Sequence, residues 1–110
     1  MSPYPSRRAA ESESEILQVS AEAASAAEAV LADAAAALRS RLARGDRVSP
    51  AELDRNQHAA HGLAWLATYV EGIRQLAAYA RRLADAGRLS EIEELLVRIG
   101  TSEYLAQIFG

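Results

Sequence analysis

The chain has no cysteine, one methionine, one tryptophan and one phenylalanine. Missing thiols remove disulfides, thiolate metal centres and cysteine nucleophiles together, and give no sign of an oxidising compartment. Aromatics make up only 5% of the 110 residues, so a core must come from Leu, Ile and Val. Much of the apolar remainder is alanine, which favours helix strongly but buries little surface. That makes the expected core thin. An excess of charge of one sign is also missing: 12 basic against 15 acidic residues leave a net charge of −3, with the signs interspersed. Such a chain has no field to gather nucleic acid or an anionic membrane. No apolar run reaches the length of a membrane span, and Arg7 and Arg8 lead into Ala-Ala-Glu-Ser-Glu-Ser-Glu rather than a signal-like segment. The cytoplasm is the expected compartment.

What is present is helical periodicity. Residues 1–12 hold Pro3, Pro5 and clustered like charges with little to bury, and are expected to be a disordered tail. A helical domain is expected over 13–110. In its first helix, about 13–44, Ile16, Val19, Ala23, Ala27, Val30, Ala34 and Ala37 step by three and four. Twelve alanines between Ala21 and Ala43 allow close approach by a partner helix. Gly45-Asp46 reads as the stop, with Arg39, Arg41 and Arg44 placed to complement the helix dipole.

Ser49-Pro50-Ala51-Glu52 reads as a capping box that starts a second helix, about 50–86, with Gly87 as its stop. Along it, Ala59, Leu63, Leu66, Val70, Ile73, Ala77, Ala80 and Ala84 form a seam of alternating steps of four and three. Trp65, Tyr69, Leu76, Tyr79 and Leu83 widen the apolar arc, so two neighbouring helices are expected. Ser90-Glu91-Ile92-Glu93 is a further capping box, opening a third helix, about 91–108, through Leu95, Leu96, Ile99, Leu105, Ile108 and Phe109. Gly100 is expected to bend or interrupt it. The fold class is all-α: a three-helix up-down-up bundle, or a long helical hairpin with a shorter third helix. Apolar residues stay frequent up to Phe109, which suggests part of a longer polypeptide.

Few residues offer chemistry. Asp54, His58 and His61 share one helix face and are the candidate metal ligands. Zinc or di-iron sites need further ligands, and neither Glu-x-x-His nor His-Glu-x-x-His occurs. Packing or polar capping is therefore the preferred role for both histidines. No Gly-x-Ser-x-Gly supplies a serine nucleophile, and Glu91, Glu93 and Glu94 are accounted for by a helix N-terminus. Gly62, Gly72 and Gly100 form no phosphate loop. A glycine inside a helix costs about 1 kcal/mol relative to alanine, so these glycines suggest close approach by a neighbour. The candidate interface is accordingly Gly62, Leu63, Trp65, Leu66, Tyr69, Val70, Gly72, Ile73 and Leu76, with the aromatics as anchors. No residue is assigned a catalytic role.

The segment Asp54-Arg-Asn-Gln-His-Ala-Ala-His-Gly-Leu-Ala-Trp-Leu-Ala-Thr-Tyr-Val-Glu resembles the N-terminal helical extension of certain bacterial acyl-CoA dehydrogenases of the methylsuccinyl-CoA dehydrogenase type. The ending Ser102-Glu-Tyr-Leu-Ala-Gln-Ile-Phe-Gly110 resembles the place where that extension leads towards the dehydrogenase body. The resemblance covers roughly residues 15–110. It implies a parent flavoenzyme that takes two hydrogens from an acyl-CoA thioester with a glutamate base and FAD. The body that carries those groups is not in this chain, and no catalytic or FAD-contacting residue of the family falls on a position here. The resemblance thus implies a non-catalytic helical module that packs on the dehydrogenase body, in cis or in trans. The competing expectation is a self-contained homodimer burying Leu63, Leu66, Val70, Ile73 and Leu76. A third is a small metalloenzyme around Asp54, His58 and His61.

Overall fold

The computed structural model describes residues 7–44, 47, 48 and 50–110. Its elements are α1 (Arg7–Leu42), β1 (Ala43–Arg44), β2 (Arg47–Val48), α2 (Pro50–Arg55), α3 (Gln57–Asp85) and α4 (Glu91–Phe109). The fold is all-α, with one minimal ladder in which Ala43 pairs with Val48 and Arg44 with Arg47 in antiparallel register. The molecule is a rod with principal extents of 68 × 23 × 17 Å.

Helix α1 departs from expectation at both ends. It begins at Arg7, so residues 7–12, expected to belong to a disordered tail, are helical. Extending an existing helix avoids the cost of nucleation, and the added turn gains a partner. Ser12 Oγ donates to Glu94 Oε2 at 3.0 Å, tying the start of α1 to the start of α4. At the other end α1 stops at Leu42, because Ala43 and Arg44 are taken by the β ladder. Residues 1–6, the Gly45-Asp46 stop and the Ser49 cap lie outside the described residues.

The single helix expected over 50–86 is two. Pro50 opens α2 as its spacing implied, but Asn56 takes φ −106° and ψ 18° and separates α2 from α3. Asparagine's short polar side chain competes with the helical backbone, and here that local preference prevails. The Asn56 carbonyl still enters the new helix, accepting from Ala60 N at 2.9 Å.

Gly87 ends α3 as expected, at φ 68°. Arg88 N donates to Leu83 O at 2.7 Å and Gly87 N to Ala84 O at 3.0 Å, the paired bonds of a Schellman motif. The chain reverses there, and Leu89 packs on the cluster of Ile16, Ala80 and Val97. Ser90 then caps α4 by accepting from Glu93 N at 3.4 Å. The return bond of a full capping box is not made: Glu93 Oε2 is buried without a partner.

Helix α4 runs unbroken through Gly100. Instead of bending the helix, this glycine admits Leu76, whose Cδ1 lies 2.8 Å from where a Cβ would stand. One turn on, Tyr104 lies across Gly72, with ring carbons 2.7 Å from the position of an added Cβ. The two small positions let α4 settle onto α3.

Ser12–Glu94 and Glu15–Arg98 contacts at one end, with Leu105 and Ile108 against the Ala27 cluster further along, make α4 parallel to α1. Helix α3 runs between them in the opposite sense. At 1.5 Å per residue, α1 is about 54 Å long and α4 about 28 Å. Both expected arrangements are therefore realised in succession: a three-helix bundle where α4 lies, and a bare α1–α3 hairpin beyond it. The core is small: Ile16, Ala80 and Val97 form one cluster, and Ala27, Val70 and Ile73 the other.

The glycines give a stability ranking. Gly62 has nothing within 4 Å of an added Cβ, so Gly62→Ala should stabilise the chain by up to about 1 kcal/mol through helix propensity. Gly72→Ala forces the Tyr104 ring off α3 and should instead destabilise it, by about 1 kcal/mol net of the same gain. Thermal melts of the two variants should move in opposite directions.

Candidate functional site

Helix α3 beyond the end of α4 carries the most specific side chains, and a stack of rings leads into it. Tyr104 of α4 sits 6.1 Å from Tyr69, and Trp65 stacks on Tyr69 at 6.0 Å with 29° between planes. His61 meets Trp65 edge-on at 6.3 Å. Such separations fall in the range favoured by aromatic pairs. The indole Nε1 donates to His61 Nε2 at 2.9 Å, which leaves the imidazole proton on Nδ1. The rungs at 61, 65 and 69 recur every four residues, as one helix face requires. Trp65 is 51% exposed because α4 has ended before it could cover that turn.

The arrangement engages His61. Its Nε2 lone pair is engaged by Trp65, while Asp54 and His58 are exposed. Among the described residues no group of three potential ligands converges, so the candidate set Asp54, His58 and His61 is not assembled. His61 orients an indole.

The candidate interface residues divide between inside and outside. Val70 and Ile73 are 1% and 0% exposed, and Leu66 and Leu76 pack against the two clusters that α1, α3 and α4 share. Gly72 receives Tyr104. These form an interface within the chain. A second copy could bury Val70 and Ile73 only by opening the bundle. Leu63 is half-buried beside a shallow groove with Ala34, Ala37 and Leu38. Gly62 and Trp65 remain outward.

Helix α4 divides its apolar residues between an inner and an outer face. Its inner face is Glu94, Val97, Thr101, Tyr104, Leu105 and Ile108, all buried or half-buried. Ile92, Leu95, Leu96 and Ile99 point outwards and are 69%, 55%, 56% and 51% exposed, and Phe109 is 64% exposed. Two stripes of helical spacing compete here, and the outward one is the more apolar. Nothing in the periodicity distinguished them. The deciding features are Gly100, which fits the inner face to Leu76, and Ser12, which draws Glu94 inwards.

Charged groups occupy the other faces. Arg74 Nε meets Glu28 Oε1 of α1 at 2.7 Å, Arg74 Nη1 meets Glu71 Oε2 at 2.8 Å, and Gln75 Nε2 donates to Glu71 Oε1 at 2.8 Å. The Gln75 hydrogen bond, followed by the Arg74 charge, holds the Glu71 carboxyl below its ordinary value of 4.5. A lowered folded-state pKa stabilises the fold above the ordinary value, and that contribution is lost as pH falls through the lowered one. The site is exposed, so the contribution is small.

One cleft of the chain is unsuited to FAD by its charge. This cleft, about 650 Å³ between the start of α1 and the α3–α4 turn, is lined by Glu13, Glu91 and Glu94 with one cation, Arg8. Three carboxylates repel a pyrophosphate. Among the described residues no helix is long and apolar enough to cross a membrane.

No protein-family model matches the chain. The chain is 44% identical over 96 residues to (2S)-methylsuccinyl-CoA dehydrogenase of Cereibacter sphaeroides, a match that takes in 87% of this chain. It spans only 18% of that relative's length. The resemblance read from the Asp54–Glu71 segment and the Ser102–Gly110 ending is upheld.

Two measurements check the site. Trp65 is the one tryptophan, so its fluorescence reports the ladder alone. His61→Ala should shift the emission to longer wavelength as water replaces the imidazole, with a stability change within about 0.5 kcal/mol. Separately, Gln75→Ala should raise the titration midpoint of the Glu71 carboxyl towards 4.5, as followed by NMR.

Proposed function

We propose that this chain is the non-catalytic, N-terminal helical module of an FAD-dependent acyl-CoA dehydrogenase of the methylsuccinyl-CoA type, packing on the dehydrogenase body in cis or in trans. One observation carries the reading: 44% identity extends over 87% of this chain, yet accounts for only 18% of the relative. An oxidoreductase of that kind has its chemistry elsewhere. The acid-lined cleft and the engaged His61 support the same division of labour, since neither offers a flavin site or a base. FAD and the acyl-CoA thioester would then be held by the body, in the cytoplasm, and the module would contribute surface.

Physically, a module of this shape suits packing better than catalysis. Its rod form presents long faces, and its small core leaves it short of buried area on its own. Association with a larger protein adds to that area and raises the stability of both.

The test is direct. The reading frame beyond the Gly110 codon, or its immediate genomic neighbour, should encode the dehydrogenase body. Co-expressed with a tagged 110-residue chain, that body should co-purify with it and carry flavin absorbance. A body that purifies with full flavin content and never associates with the chain refutes the module reading.

A further inference from the structure

Among the described residues, five of the eight exposed large hydrophobic side chains lie on α4. Ile92, Leu95, Leu96 and Ile99 follow the i, i+3, i+4, i+7 spacing that puts four side chains on one helix face. Each is at least half exposed. On the opposite side of the same helix Val97 is 0% and Thr101 5% exposed. Over residues 92–99 the helix is apolar on two opposite faces, and α1 with α3 covers only one of them.

Charged pairs lie along the outer faces of α1 and α3. Gln18 bonds Glu22 along α1, Arg74 joins Glu28 to Glu71, and Arg81 meets Asp85 along α3. Burying those faces would mean desolvating paired ions. Burying the Ile92–Ile99 stripe of α4 would remove mainly aliphatic surface from water, which is favourable in proportion to the area covered.

Resting on the module reading above, we infer that the outward face of α4, centred on Leu95, Leu96 and Ile99, is the surface that packs on the dehydrogenase body. The competing occupant is a second copy of this chain, and area argues against it. The four residues span two helical turns, about 11 Å of axis. Two such patches meeting across a two-fold axis fall well short of the roughly 800 Å² per partner of a stable complex. A dehydrogenase body is not limited in this way. The match leaves more than four-fifths of the relative outside it, since it spans 18%, and a protein of that size can cover flanking surface at the same time. Such surface is present. Val19 is 44% exposed one turn beyond Glu15, which reaches Arg98 on the flank of α4. Phe109, 64% exposed, extends the surface at the far end of α4. Attachment in cis would raise the effective concentration further.

The experiment compares the native chain with Leu95→Glu/Ile99→Glu, co-expressed with the dehydrogenase body and scored by co-purification and by the dissociation constant. Both side chains are exposed in the free chain, so circular dichroism should show native helix content for the variant. Binding to the body should fall by ~100-fold or more, as for central interface anchors. Ala78→Glu, at an exposed position of α3 away from the stripe, should leave binding as it was. Should the double variant lose helix content, Ile92→Lys, at the most exposed position of the stripe, decides the same question. Native and double-variant chains binding equally would overturn the assignment and leave the module reading intact. No binding by the native chain would overturn both. A native chain that dimerises with concentration, and ceases to do so in the double variant, would hand the surface to a second copy.

Discussion

Helix α3 has to satisfy two neighbours with one apolar arc, and the two approach it by different means. Against α1 the approach is made by alanine: Ala23, Ala24 and Ala27 bring the backbones close, while Val70 and Ile73 supply the volume. Against α4 it is made by glycine, at Gly72 beneath Tyr104 and at Gly100 beneath Leu76. Small residues let Val70 and Ile73 be fully buried and bring Leu76 and Tyr104, half-buried, into close contact. The cost is area, because alanine and glycine contribute little of it. Few large side chains end up wholly buried, and the remaining aliphatic residues of α4 face water.

The length mismatch between α4 and its neighbours has a comparable influence. Where α4 lies, the rod is a bundle. Where it stops, the Tyr104–Tyr69–Trp65–His61 ladder emerges from beneath it. The aromatics there are ordered by one another, with His61 fixing the indole by a hydrogen bond. These side chains form a stack on a helix surface. The chain's 44% identity is to less than a fifth of an enzyme, and these rings pack on one another.

The outward face of α4 and the ion pairs of α1 and α3 divide the surface by character. Arg74 bridges Glu28 and Glu71 between helices, and exposed pairs of this kind contribute little stability. They do make those faces poor docking surfaces. The apolar stripe has no such restraint, and it is the feature of the fold that points most clearly to a larger partner.

Local signals in the chain were sufficient for the all-α class, the Pro50 start, the Gly87 reversal and the Ser90 start, because each depends on backbone chemistry within a few residues. The Asp54–Glu71 string and the Ser102–Gly110 ending were likewise sufficient for the family resemblance. Three outcomes depended on contacts distant in sequence. Residues 7–12 are helical because α1 extends to meet Glu94 across 82 positions. Gly100 continues a helix because Leu76 fills the space over it. The choice of which α4 stripe turns inwards rested on those same two contacts, since both stripes have helical spacing and periodicity cannot rank them. A pattern along one helix states that a face will be buried; which face, and against what, follows only from the shape of the neighbours that arrive there.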